Sequence, residues 1–171
     1  MATAQTLAGC AIKASIGASV TKASDFQAIT QKFAHTISEA IAAGTGSGQA
    51  DILWADERTL AADATEDLDL AGVLTDAFGD TVTLVDVKAI LIENTSTTAS
   101  IISVMQAAAN GFVGPFDAAS EKTNLAAGCF VMYGNPGAGW AVTAGTGDLI
   151  TFTEEATLEG KYKITILGAS A

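Results

Sequence analysis

Thr81-Val-Thr-Leu-Val-Asp-Val-Lys-Ala-Ile-Leu-Ile-Glu93 decides the fold. Val, Ile and Thr dominate this stretch, and branched side chains suit a pleated backbone better than a helix. A period of two puts Val85, Val87, Ala89 and Leu91 on one face and Val82, Leu84, Ile90 and Ile92 on the other. Apolar character on both faces around Ile90 and Ile92 predicts a central strand, continuous from Thr81 to Glu93. The polar run Asn94-Thr-Ser-Thr-Thr98 reads as a turn, and Ser100 to Met105 as the returning strand.

The same pattern extends outward in both directions. Toward the C-terminus, Gly111 to Asp117 is a loop carrying Phe112, Pro115 and Phe116, and Leu125 to Tyr133 is a strand. Asn135-Pro-Gly-Ala-Gly139 has strong turn chemistry. Trp140 to Thr143, Asp148 to Thr153 and Lys161 to Leu167 are further strands. In the last, Tyr162, Ile164 and Ile166 face inward and Lys161, Lys163 and Thr165 outward. Toward the N-terminus, Ala50 to Leu60 reads as a strand. Thr65 to Leu70 alternates Glu66, Leu68 and Leu70 against Asp67 and Asp69, as a half-buried edge strand does. About eight strands at intervals of roughly ten residues, with turn signals between them, predict an antiparallel β-sandwich or jelly-roll. No repeat of fixed period is visible.

The first 43 residues form a leader set apart from the body, residues 44–171, by Gly44-Thr-Gly-Ser-Gly48, which reads as a flexible loop or hinge. Up to about residue 24 the leader reads as an extended arm or edge strand, with Ile12, Ala14, Ile16, Ala18 and Val20 sharing a face. Such a segment can pair with a neighbouring chain. Residues 25–43 fit two readings. Phe26, Ile29, Phe33, Ile37 and Ile41 make a helical stripe, with Asp25 near its N-terminus. Ile29, Phe33, Ile37 and Ile41 also share strand parity, with Gln31, His35 and Glu39 between them. Both stay open, with the strand preferred for its β-rich surroundings.

Composition excludes several classes of function. The formal net charge is −11 and the single arginine is Arg58. Phosphate contacts need Lys and Arg, so neither nucleic acid nor an anionic membrane is an expected partner. The acidity keeps a solvent-facing protein soluble. The start lacks the basic-then-apolar pattern of a signal peptide, and no apolar run approaches a transmembrane span, so synthesis in a cytoplasm is expected. Cys10 and Cys129 lack metal spacing and read as free, buried or partly buried thiols.

Chemistry is sparse. His35, the single histidine, lies in the leader without a nucleophile or orienting carboxylate nearby in sequence. The Gly44–Gly48 loop lacks the Gly-Lys-Ser/Thr ending of a phosphate loop, and Gly145-Thr-Gly147 fits a strand-joining turn. Asp51, Asp56, Glu57, Asp63, Glu66, Asp67, Asp69, Asp76, Asp80 and Asp86 crowd one third of the chain. They read as a solvated acidic face ahead of a calcium site, since no twelve-residue calcium loop is present. Trp54 and Trp140 read as core or interface anchors ahead of a sugar platform. No catalytic, cofactor-binding or metal-ligating residue is expected.

Several blocks in order carry a family resemblance: Gly44-Thr-Gly-Ser-Gly-Gln-Ala-Asp51, Arg58-Thr-Leu-Ala-Ala62 and Glu66-Asp-Leu-Asp-Leu-Ala-Gly72. Ala141-Val-Thr-Ala-Gly-Thr-Gly-Asp-Leu149 and Ile166-Leu-Gly-Ala-Ser170 continue it. Together they resemble a small tailed-phage protein family with GTG-x-GQAD, RTLAA and EDLDLAG motifs, over about residues 44–171. The resemblance implies a virion structural protein and supplies no catalytic residues.

The combined expectation is an all-β chain, a single antiparallel β-sandwich or jelly-roll-like domain with an N-terminal arm. It would be a capsid decoration or cement protein on the outside of a bacteriophage head, a homotrimer bound to the major capsid protein. Phe26, Ile29, Phe33, Ile37 and Ile41 would make the partner contacts. The alternative is a tail or fibre component contacting host-surface glycans through Trp54 or Trp140. A small hydrolase is disfavoured by the missing nucleophile–base pair.

Overall fold

A computed structural model describes residues 7–72, 74–117 and 121–171. The part of the predicted arm before Leu7 lies outside the described residues. The chain is all-β, built from antiparallel sheets, with no helix among the described residues. The strand reading of residues 25–43 is therefore correct and the helical one is not.

Two long strands come first: β1 (Cys10–Lys22) and β2 (Ile29–Ala43), followed by the short β3 (Gln49–Ala50). The body continues with β4 (Ile52–Leu60), β5 (Thr65–Asp69), β6 (Leu74–Thr75), β7 (Thr81–Val82), β8 (Asp86–Asn94) and β9 (Ile101–Gln106). It ends with β10 (Thr123–Ala126), β11 (Phe130–Gly134), β12 (Trp140–Ala141), β13 (Leu149–Glu154) and β14 (Gly160–Ala169). One body sheet has the order β11-β8-β14-β4, with β12 also paired to β8. The other has the order β10-β9-β13-β5, and β6 and β7 form a separate two-stranded ribbon.

The two main sheets face each other across one core. β4, β8 and β14 contribute Trp54, Ile90, Ile92, Tyr162, Ile164 and Ile166, and the opposite sheet contributes Leu68, Ile102, Val104, Leu125, Ile150 and Phe152. The alternation read in the sequence is what buries them, because every second side chain of a strand points to the same layer. Phe152 and Tyr162 stack across the gap, with ring centroids 4.3 Å apart and planes 9° apart.

The predicted continuous strand from Thr81 to Glu93 is interrupted. β7 ends at Val82 and β8 starts at Asp86, and the pairing of β8 with β14 shifts register between Leu167 and Gly168. Ala89 pairs with Leu167 and Val87 with Gly168, so Lys88 is the extra residue of a bulge. The bulge inverts parity. Val87 joins Ile90 and Ile92 in the core, while Leu91 faces solvent, so the predicted common face of Val85, Val87, Ala89 and Leu91 is split. Gly168 is required opposite the bulge, since a Cβ there would lie 2.3 Å from the Asp86 carbonyl oxygen. The predicted strand from Leu125 to Tyr133 is likewise two strands in different sheets. They are joined by a turn at Gly128, whose φ of 78° suits glycine.

The inner face closes around a polar cluster at one margin. The Tyr162 hydroxyl donates to Glu66 Oε1, and Arg58 Nη1 donates to Glu66 Oε2 at 3.1 Å. Arg58 Nε also pairs with Asp56 at 3.1 Å. Burial first, and then the hydrogen bond to Glu66, hold the Tyr162 hydroxyl well above the usual phenol range. The folded state thus keeps a proton that the unfolded chain releases above about pH 10. This contribution to stability is complete below that pH and is lost as pH rises beyond it, by at most about 1.4 kcal/mol per pH unit. Tyr162→Phe is expected to cost about 1 kcal/mol at neutral pH. It should also flatten the alkaline limb of stability measured by urea unfolding from pH 8 to 11. An unchanged alkaline limb would contradict this account.

Candidate functional site

β1 and β2 pair along 13 rungs, from Cys10–Ile41 to Lys22–Ile29, as an antiparallel hairpin. The leader's first strand therefore finds its partner inside the chain. Directly opposed residues share a face, so the register sorts the hairpin into two surfaces. One carries Ile12, Ala14, Ile16, Ala18, Val20 and Lys22 from β1, beside Ile29, Gln31, Phe33, His35, Ile37, Glu39 and Ile41 from β2, so Glu39, His35 and Gln31 stand opposite Ile12, Ile16 and Val20 on a mixed surface. The other carries Lys13, Ser15, Ser19 and Thr21 beside Thr30, Lys32, Thr36 and Ser38. Hydroxyl pairs cross-link the polar surface, Ser15 to Thr36 at 3.0 Å and Thr21 to Thr30 at 2.9 Å.

Beyond the root, the large apolar side chains of this mixed surface are uncovered. Ile16 is 80% exposed, Ile29 60%, Phe33 52% and Ile37 49%. Phe26 stands in the turn at the tip and is 96% exposed. Four of the five predicted contact residues are thus available to a partner. Ile41 is not. It is buried at the root of the hairpin with Ile12, Ala50 and Leu167, flanked by Cys10, Ala89 and Met132. Its parity is the same as that of Phe33 and Ile37, but its position on the outer surface of the β11-β8-β14-β4 sheet makes it core of the chain itself.

The root is locked, contrary to the expected hinge at Gly44–Gly48. β2 and β3 pair in parallel, with Ala42 opposite Gln49 and Ala43 opposite Ala50. The Gln49 side chain fills the loop and accepts a hydrogen bond from the Gly46 N–H at 2.9 Å. A Cβ on Gly44 would lie 2.5 Å from that Gln49 oxygen, and φ of 136° there excludes most side chains. The glycines close a tight turn around one side chain, so their number does not signal flexibility.

A residue that sequence reasoning passed over ties this loop to the body. Lys88, fully buried at the bulge, sits 3.2 Å from both carboxylate oxygens of Asp86. Its ammonium also donates to the Gly137 carbonyl at 3.2 Å and the Ala138 carbonyl at 2.9 Å. The same Gly137 carbonyl accepts from the Gly48 N–H at 2.8 Å. Lys88 thus orients the 135–139 turn, and the turn holds the loop below the arm. The signal in the sequence was a lone cation inside an apolar run.

The candidates for chemistry do not assemble. His35 is exposed on the arm, opposite Ile16 in the ladder. Trp54 is 2% exposed, and its indole N–H donates to the Thr75 carbonyl at 3.1 Å, so it cannot serve as a sugar platform. Trp140 is half-buried against the main core. The carboxylates mostly serve local structure: Asp69 accepts from the Ala71 N–H, Asp76 from Phe78 and Asp80, and Asp51 from the backbone and hydroxyl of Ser170. Among the described residues no group of three His, Cys, Asp or Glu side chains could hold a metal ion. Cys10 is half-buried, and burial pushes its thiol up. Cys129 was expected to be buried or partly buried but lies exposed, in the turn that joins β10 to β11.

No protein-family model matches the chain, and no curated protein is detectably similar to it.

Proposed function

We propose that this chain is a non-enzymatic virion structural protein, a decoration or cement subunit on the outside of a bacteriophage head. One observation carries the reading: a 13-rung hairpin extends from a two-layer β body, and beyond its buried root Ile16, Ile29, Phe33 and Ile37 are exposed among polar neighbours. A two-stranded hairpin is marginal in water unless something covers it. Large apolar side chains exposed on such a hairpin suit an element that is covered on assembly. The major capsid protein and further copies of this chain are the proposed partners, in a homotrimer on the capsid surface.

The connectivity of the body supports a jelly-roll reading, a fold that viral capsid domains share with lectins and cupins. Counted one to eight in chain order, β4, β5, β8, β9, β10, β11, β13 and β14 give sheets ordered 1-8-3-6 and 2-7-4-5. The chain's strong acidity fits an outward-facing layer and argues against contact with packaged nucleic acid. Such a subunit would stabilise the shell because it binds only the assembled state.

The test is cryo-electron microscopy of the parent particle at side-chain resolution. Density for this body over capsomer junctions, with arms reaching between subunits, is the expected result. Its absence from the head would overturn the reading. Density on the tail would favour an adsorption role, for which the burial of Trp54 removes one of the two proposed sugar platforms.

A further inference from the structure

We propose that Asn110 is a spontaneous modification site, where the folded chain converts its own asparagine to aspartate and isoaspartate by reaction with water. The inference is independent of the virion reading and needs no partner.

The chemistry requires an asparagine amide within reach of the next residue's backbone nitrogen. That nitrogen attacks the side-chain Cγ, the Cγ–Nδ2 bond breaks, and ammonia leaves with the proton that the backbone nitrogen loses. The five-membered imide then takes up one water across either carbonyl. Opening on one side gives aspartate. Opening on the other gives isoaspartate, whose main chain runs through Cβ. No electrons are exchanged, since one amide and one water become one carboxylic acid and one ammonia. A side chain on the following residue shields the attacking nitrogen, so glycine leaves it most open.

The four asparagines of the chain differ in all these respects, and Asn110 is the one that precedes glycine. Asn94 is fully buried, with its amide donating to the Leu125 carbonyl at 2.8 Å and its side-chain oxygen accepting from the Ser96 N–H at 3.0 Å. Asn135 precedes Pro136, which has no N–H to lose, and its amide donates to the Gly139 carbonyl at 2.8 Å. Asn124 is exposed on β10 but precedes Leu125. Asn110 is exposed in the turn that follows β9.

The fold enforces the Asn-Gly pair. Asn110 has φ of 54°, in the left-handed region that asparagine enters more readily than most residues. A Cβ at position 111 would lie 2.3 Å from the Ala107 carbonyl oxygen, so only glycine fits. The bridge from Gly111 to Leu149 runs through the Asn110 carbonyl, which accepts from the Leu149 N–H at 3.0 Å, and the Phe112 N–H, which donates to the Leu149 carbonyl at 2.8 Å. The Gly111 nitrogen takes no part in that bridge, so the two reacting groups both lie outside it.

The same carbonyl gives the modification its consequence. It also accepts from the Asp148 N–H at 3.0 Å, and so fixes the start of β13. Isoaspartate inserts a methylene into the main chain at this point and displaces the carbonyl. Aspartate adds a negative charge next to Asp148, which is 5% exposed, in a chain already at −11. Ring closure needs the carbonyl to turn, so its two hydrogen bonds make the folded chain react more slowly than the unfolded one.

The experiment is ageing of the purified full chain in mildly alkaline buffer, with and without urea, followed by peptide mass spectrometry and enzymatic methylation specific to isoaspartate. The expected result without urea is conversion of Asn110 in most chains before Asn94, Asn124 or Asn135 converts detectably, with faster conversion in urea. Conversion of Asn110 in urea alone would overturn the proposal, because the fold would then shield the pair. Earlier conversion at Asn124 would overturn it too. Asn110→Gly keeps the left-handed backbone and removes the amide, so it should hold its Tm through the same ageing while the wild type loses Tm. Equal losses in the two proteins would overturn the consequence assigned to this site.

Discussion

Lys88→Met is expected to destabilise the protein by about 3 kcal/mol, since it removes one member of a buried ion pair. The substitution leaves the Asp86 carboxylate without its cation and strips the Gly137 and Ala138 carbonyls of their donor. Asp86 keeps 19% of its side-chain surface exposed, so water can relieve part of the loss. For a chain of this length the change corresponds to a fall in Tm of roughly 6–12 °C. The consequence reaches the arm, because Gly137 also receives the Gly48 N–H. Limited proteolysis should therefore cut faster within residues 44–49 in the variant. Asp86→Asn combined with Lys88→Met should recover part of the stability, since a neutral amide is cheaper to leave unpaired than a carboxylate. A Lys88→Met protein with wild-type Tm would show that the ammonium is not a buried strut.

The case of Lys88 also marks what the sequence could and could not reveal. Alternation was enough to read the long strands, because Tyr162, Ile164 and Ile166 repeat every second residue and each is buried. It failed where the period itself breaks. The bulge at Lys88 shifts parity by one, and nothing in Val87-Lys-Ala-Ile90 announces an inserted residue except the lysine that the bulge turns inward. Long-range partners were equally hidden. Gln49 plugging the Gly44–Gly48 loop is a tertiary fact, and glycine count alone suggested a hinge. The large apolar residues of β2 were legible as strand parity. Which of them lies at the root was not, so Ile41 was grouped with Phe33, though Leu167, more than a hundred residues away, helps to bury it. Choosing strand over helix for residues 25–43 needed the 13-rung register with β1, which local periodicity cannot supply.

Trp54→Ala is expected to cost about 3–5 kcal/mol, the range for deleting a buried aromatic side chain. The ring is part of the main core, its N–H is satisfied by Thr75, and Arg58 stands over its face with the guanidinium 5.9 Å from the centroid. Removing it opens a cavity between the sheets and releases Arg58 from one of the contacts that hold it toward Glu66 and Asp56. The measurement separates two functional readings. A sugar platform is an exposed ring, and its removal lowers ligand affinity while leaving Tm almost unchanged. A core anchor gives the reverse, a large loss in urea or thermal unfolding. Trp54→Phe should then recover much of the stability, since volume is the main quantity lost. Reproducible glycan-array binding by the wild type, abolished in a Trp54→Ala protein of unaltered Tm, would contradict the burial described here. It would favour host adsorption over the proposed shell-binding role. With Trp54 inside, a tryptophan platform for adsorption would have to be built around Trp140, which is itself half-buried against the core.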